Sequence, residues 1–178
     1  RDRWKQADAI NKWDGEFKLA YNADGAGNKA WSEAVANSVK NVLGIEAVGE
    51  AYPDFKSLRD EVTSETIETP FRTGWVGEYP SIENFLTPLY STNGGSNDGG
   101  YSNPEFDRLL TKASGAGTAQ EANTVYNQAQ EVLFEDLPVI PLWYNNTNGG
   151  FSENVENVDF TWRQQPNYYA ITKDKDQQ

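Results

Sequence analysis

Within the seven residues Arg72-Thr73-Gly74-Trp75-Val76-Gly77-Glu78 the chain sets a guanidinium, a flat indole and a carboxylate. Arginine's planar fork can hold a carboxylate through two parallel hydrogen bonds. A carboxylate such as Glu78 can pair with an ammonium, and breaking such a pair once it is buried costs about 3–5 kcal/mol. Trp75 offers an apolar wall, and Gly74 beside it lets backbone come close. Such a set could grip a small zwitterion at both poles. Tyr79 is read as packing beneath the site, and Asn22, at the end of the first predicted strand, as part of a loop facing the same cleft. Each has a plainer reading: Glu78 as a solvated residue before the Tyr79-Pro80 turn, Arg72 as an ion pair with one of 27 acidic residues, Trp75 as core.

Other conspicuous residues have local explanations. Asn103-Pro104-Glu105 is a helix start, with Asn as cap, Pro at the first helical position and acids in the first turn, and Asp107 belongs to the same chemistry. Asn97-Asp98-Gly99-Gly100 is oxygen-rich but lacks the ligand spacing of a calcium loop, so it reads as a turn. Trp143 and Tyr144, on an apolar run, read as core or lobe contact.

Composition removes several chemistries. With no Cys and no His there is no disulfide, no Cys/His zinc site, no Ser-His-Asp triad and no thiol nucleophile. No metal or other cofactor is expected. A formal charge of −12 argues against nucleic acid, which needs a basic stripe, and reads as a soluble, self-repelling surface. No apolar run approaches the roughly 20 residues that cross a bilayer. The absence of methionine, even at position 1, reads as a piece of a longer protein whose targeting signal lies elsewhere.

The elements that must position these residues follow from periodicity. Trp4, Ala7, Ile10 and Trp13 recur at three-residue steps, predicting a partial helix over 1–14. Phe17, Leu19 and Tyr21 alternate as a strand; Trp31 to Leu43 has one apolar helical face and stops at Gly44. Ile45 to Ala51 is a second strand, so a parallel strand–helix–strand unit is expected. Phe55 to Glu68 is amphipathic and partly helical, and Pro70 to Val76 is predicted as a third strand carrying the opening motif. Helices are predicted over 81–90, from Asn103, and over a run containing Ala122 to Leu133, with a loop at 93–100. Val139 to Tyr144 is predicted as an edge strand, 155–162 as irregular strand, and Lys173 to Gln178 as a frayed tail. The expectation is one α/β domain over 1–178, a mixed sheet flanked by helices.

Four segments in sequence order resemble the C-terminal lobe of the extracytoplasmic peptide-binding proteins that serve ABC importers, solute-binding protein family 5. They are the helix ending Asn41-Val42-Leu43-Gly44-Ile45, Gly74-Trp75 to Leu86, Tyr101-Ser102-Asn103-Pro104-Glu105-Phe106-Asp107-Arg108-Leu109-Leu110, and Glu131 to Leu142. The resemblance implies one lobe of a type II periplasmic-binding-protein-like fold, with the larger N-terminal lobe absent. It implies a receptor and not an enzyme: a monomer that encloses a short peptide between two lobes and delivers it to the transmembrane permease, outside the cytoplasm and lipid-anchored through the absent N-terminus. Glu78 sits where the family commonly has the aspartate that meets a peptide's α-amino group, one methylene longer here, and Arg72 matches an arginine that in some members meets the ligand's carboxylate. The alternative weighed against it is a secreted carbohydrate-active domain in which Glu78 with Glu83 or Asp107 forms a hydrolytic pair.

Overall fold

A computed structural model describes residues 1–173. The chain divides into two compact units, Arg1–Gly74 and the part beginning at Trp75.

The first unit is built on a parallel strand pair. Strand β1 (Phe17–Asn22) pairs with β2 (Ala47–Tyr52) in the register Phe17↔Ala47 to Asn22↔Tyr52. A helix α1 (Asp2–Ile10) precedes β1, and the crossover between the strands is helix α2 (Asn28–Leu43). Gly44 stops α2 in the left-handed conformation (φ 75°), donating its N–H to the Lys40 carbonyl at 2.8 Å. Helix α3 (Phe55–Thr63) starts at Asp54, whose carboxylate accepts from the Ser57 N–H at 2.7 Å. Leu58 and Val62 on α3 bury against Ala20, with Tyr52, Ile67 and Phe71 closing the cluster. The expected strand–helix–strand unit is formed.

The predicted third strand is not. Between Pro70 and Val76 only Phe71 makes a ladder rung, parallel to Ala20: the Ala20 N–H donates to the Pro70 carbonyl at 2.8 Å and the Arg72 N–H to the Ala20 carbonyl at 2.9 Å. Continuing that parallel pattern would require the Gly74 N–H to reach the Asn22 carbonyl. That carbonyl instead accepts from the Asn28 carboxamide at 3.1 Å.

The second unit is helical around one core. Helices α4 (Glu83–Tyr90), α5 (Pro104–Ser114) and α6 (Ala119–Asp136) bury Leu86, Phe106, Leu109, Leu110, Ala113, Val125, Tyr126 and Ala129 together. The α5 start is as expected: Asn103 Oδ1 accepts from the N–H groups of Glu105 (2.9 Å) and Phe106 (3.2 Å). Phe106 is fully buried, edge-on to Tyr90 and Tyr101 at 6.5 and 5.8 Å between ring centroids. The 91–103 connection is stitched by Asn97, which donates to the carbonyls of Ser91 (3.0 Å) and Tyr101 (2.7 Å) and accepts from the Tyr101 N–H (3.0 Å). Tyr101 Oη and Asn103 Nδ2 both donate to Asp136 at the end of α6, at 2.6 and 2.7 Å. A short antiparallel pair, β3 (Val155–Glu156) with β4 (Thr172–Lys173), closes the described chain.

Further boundaries and one further strand differ from expectation. Helix α1 stops at Ile10 and buries no residue; its Trp4 meets Trp13 edge-on at 6.1 Å. Strand β2 begins at Ala47, two residues after Ile45, where the chain comes into register with Phe17. Val139–Tyr144 forms no strand: Pro141 cannot donate to a ladder, and Tyr144 is 97% exposed. The apolar content of that run is therefore surface within its unit, not core. The predicted tail falls, beyond Lys173, outside the described residues.

Phe106→Ala should destabilise the chain by about 3–5 kcal/mol, read as a shift in the denaturant midpoint, because it empties the centre of the helical core. The Tyr101–Asp136 contact makes a pH signature. Burial, then the bond to Asp136, pushes the Tyr101 phenol up to about 12, and the bonds from Tyr101 and Asn103 hold Asp136 below its ordinary 3.8. The raised phenol stabilises the fold below its unfolded value near 10, and that contribution is lost as pH climbs towards 12. The depressed carboxyl stabilises it above its unfolded value, and that contribution is lost as pH falls through the lower folded one. Tyr101→Phe should flatten both limbs of a stability-versus-pH curve, measured by denaturant titration; unchanged limbs would disprove the coupling.

Candidate functional site

The carboxyl ends of β1 and β2 lie side by side in the first unit, and in open α/β sheets ligands bind outside such ends. The last residue of β1, Asn22, is 4% exposed, so its amide must be satisfied internally. Its Oδ1 accepts from Arg72 Nη1 and from Asn28 Nδ2, each at 3.0 Å, and its Nδ2 donates to Asp24 at 2.7 Å. The second oxygen of Asp24 accepts from the N–H of Phe55, the first residue of α3, at 3.2 Å. One carboxamide thus ties the end of β1 to the starts of α2 and α3 and to Arg72. Gly25 is required by this packing, since a Cβ there would lie 2.1 Å from Asn28 Nδ2.

Arg72 is half-buried, and its charge is unusual in this chain. It makes no ion pair among the described residues, although the sequence holds 27 acidic groups. Burial lowers its pKa, and the nearby charge of Asp24 opposes that shift. Nη1 is bonded to Asn22, while Nε is buried without a partner.

The second unit opens with the Trp75–Ser81 turn. Asn84, 4% exposed, accepts from the Glu78 N–H at 2.8 Å and so fixes the backbone ahead of α4. Gly77 is buried against Phe85, where a Cβ would lie 2.8 Å from the ring. The Tyr79 hydroxyl donates to Glu83, and that bond raises its pKa. The Glu78 carboxylate is exposed and makes no hydrogen bond or ion pair among the described residues. Trp75 is half-buried, its indole N–H without a partner.

Of the predicted residues, the structure joins Asn22 to Arg72 directly. Asn22 is a buried strand residue, not a loop residue. Trp75, Glu78 and Tyr79 belong to the second unit, on an irregular turn and not on a strand end. Tyr79 is 44% exposed, a surface residue within its unit. The Glu83 carboxylate accepts from the Tyr79 hydroxyl, and Asp107 accepts from the Thr92 N–H (3.0 Å) and hydroxyl. Asp24 and Asn28 lie in what the sequence presents as plain loop. Their only sequence mark is an Asn-x-Asp-Gly run at a strand end with a further Asn opening the next helix.

No family model matches the chain. It is 29% identical over 143 residues to the oligopeptide-binding protein OppA of Bacillus subtilis (strain 168), covering 80% of this chain and 26% of that protein. It is 35% identical over 116 residues to the periplasmic murein peptide-binding protein MppA of Escherichia coli (strain K12), covering 65% and 21%. Among solved structures it matches OppA of Burkholderia pseudomallei with a TM-score of 0.68 at 25% identity, over 79% of this chain and 27% of that one. The chain spans about a quarter of the length of the relatives it matches. In sequence and in fold it is a homologue of the extracellular solute-binding proteins of family 5, the oligopeptide- and dipeptide-binding proteins of ABC importers.

Proposed function

We propose that the chain, residues 1–178, is the C-terminal ligand-binding lobe of a solute-binding receptor that captures short peptides outside the cytoplasm for an ABC permease. The observation that carries this reading is the set of relatives named for peptide binding, at 29% and 35% identity. The whole receptor is a monomer, anchored by lipid at an N-terminus beyond this sequence, and closes over an extended peptide whose main chain is bound like an added strand. It performs no chemistry on its cargo.

Glu78 takes the peptide's α-amino group. Its carboxylate is exposed and uncommitted, while Asn84 fixes the backbone from which it projects. Trp75 covers the first residues of the peptide, and Arg72 receives a carboxylate. The extra methylene of glutamate sets the ammonium further from the backbone than an aspartate would.

Calorimetry of the full-length receptor against a peptide library tests this. Binding of short peptides with a free amino terminus is expected, and binding only of a sugar or a metal chelate would refute it. Glu78→Gln should weaken a free-amine peptide about tenfold or more and leave its N-acetylated form unchanged. Equal affinities for the variant and the parent would remove Glu78 from the site.

A further inference from the structure

A half-buried guanidinium with no carboxylate in ion-pair contact is costly to keep, and this chain has acids to spare. The nearest one is held off. Asp24 bonds to Asn22 Nδ2 at 2.7 Å, and only the neutral Oδ1 of Asn22 meets Arg72. The amide is clamped at both ends: Asn28 shares the oxygen at 3.0 Å, and Asp24 is itself tied to the Phe55 N–H at 3.2 Å. The guanidinium is therefore aimed by a buried, rigid group that does not neutralise it. Its remaining donors include a buried Nε without a partner.

We propose that Asn22 is a positioning residue: it orients Arg72 while keeping its charge available for an anionic group of the ligand, a carboxylate, and Asp24 and Asn28 serve to lock Asn22. This rests on the peptide-binding reading and adds a specificity determinant to it. The arrangement selects ligands with a free carboxylate over their amides, and the selection depends on Asn22 being uncharged.

The test exchanges the charge and its neutral spacer. In the double variant N22D/D24N the net charge is unchanged, and the carboxylate introduced at position 22 can accept from Arg72, from Asn28 and from the amide introduced at position 24. A negative charge now sits on the guanidinium. Affinities of the full-length receptor for a peptide acid and for its C-terminal amide are measured by calorimetry, with the thermal midpoint as the control for folding. The parent is expected to favour the acid, and the double variant to lose about tenfold or more of that preference while binding the amide as before. D24N alone keeps a neutral group on Arg72 but loosens one lock on the Asn22 amide, so it should lower the preference less than the double variant does. An acid-to-amide ratio unchanged in the double variant overturns the inference. A parent that binds peptides but does not distinguish acid from amide also overturns it, leaving the peptide reading intact. A parent that binds no peptide defeats both.

Discussion

The Asn28 side chain donates to the backbone carbonyl of Asn22 at the point where the sheet ends. A parallel ladder needs a free carbonyl on every second residue, and the rung at Phe71 has used the one at Ala20. The next acceptor, at Asn22, carries a side-chain amide, and the segment after Arg72 leaves the sheet there. What would have been a buried strand becomes chain free to present Trp75 and Glu78 on a turn. The same carboxamide pair places Asp24 and Arg72 around Asn22, so the end of the ladder and the polar cluster are one event. Side-chain amides compete with backbone donors most effectively at such termini, where a strand has a last carbonyl to give.

Charge is used sparingly within this acidic surface. The ion pairs Lys56–Asp60, Arg108–Glu105 and Lys29–Glu33 are exposed, each lies within about one helical turn, and such pairs add little stability. The polar bonds that join distant parts of the chain pair carboxylates with neutral donors, as at Asp24, Asp107 and Asp136, or use an asparagine, and Lys18–Glu50 ties β1 to β2. Asn22 to Arg72, Asn103 and Tyr101 to Asp136, and Asn84 to the Glu78 N–H each fix a segment that has no ladder of its own. Asparagine supplies donor and acceptor together without charge.

Elements whose information is local were legible from sequence. The apolar face of α2 with its Gly44 stop, the Asn103-Pro104 start of α5 and the strand–helix–strand order each depend on residues a few positions apart. The failures are strands whose identity depends on a distant partner. Pro70–Val76 and Val139–Tyr144 have the composition of strands, and composition cannot show that the pairing at Phe71 stops after one rung or that no strand meets 139–144 among the described residues. For the site, residue types point to Arg72, Glu78 and Trp75, but not to the state in which the chain holds them. Asn22 stands out by its position at a strand end, whereas Asp24 and Asn28 do not, because asparagine and aspartate beside glycine are ordinary in turns.

That asymmetry bears on how the two charged residues divide their roles. Glu78 is exposed on a turn whose backbone is pinned by Asn84, while its carboxylate is held by no bond among the described residues. Arg72 is half-buried and bonded to an amide that is itself clamped at both ends, so the direction of its guanidinium is held. A glutamate carries one rotatable bond more than an aspartate, so its carboxylate reaches further from the backbone that Asn84 fixes. The two charged residues are thus held differently, each within its own unit: Glu78 through its backbone alone, Arg72 through its side chain.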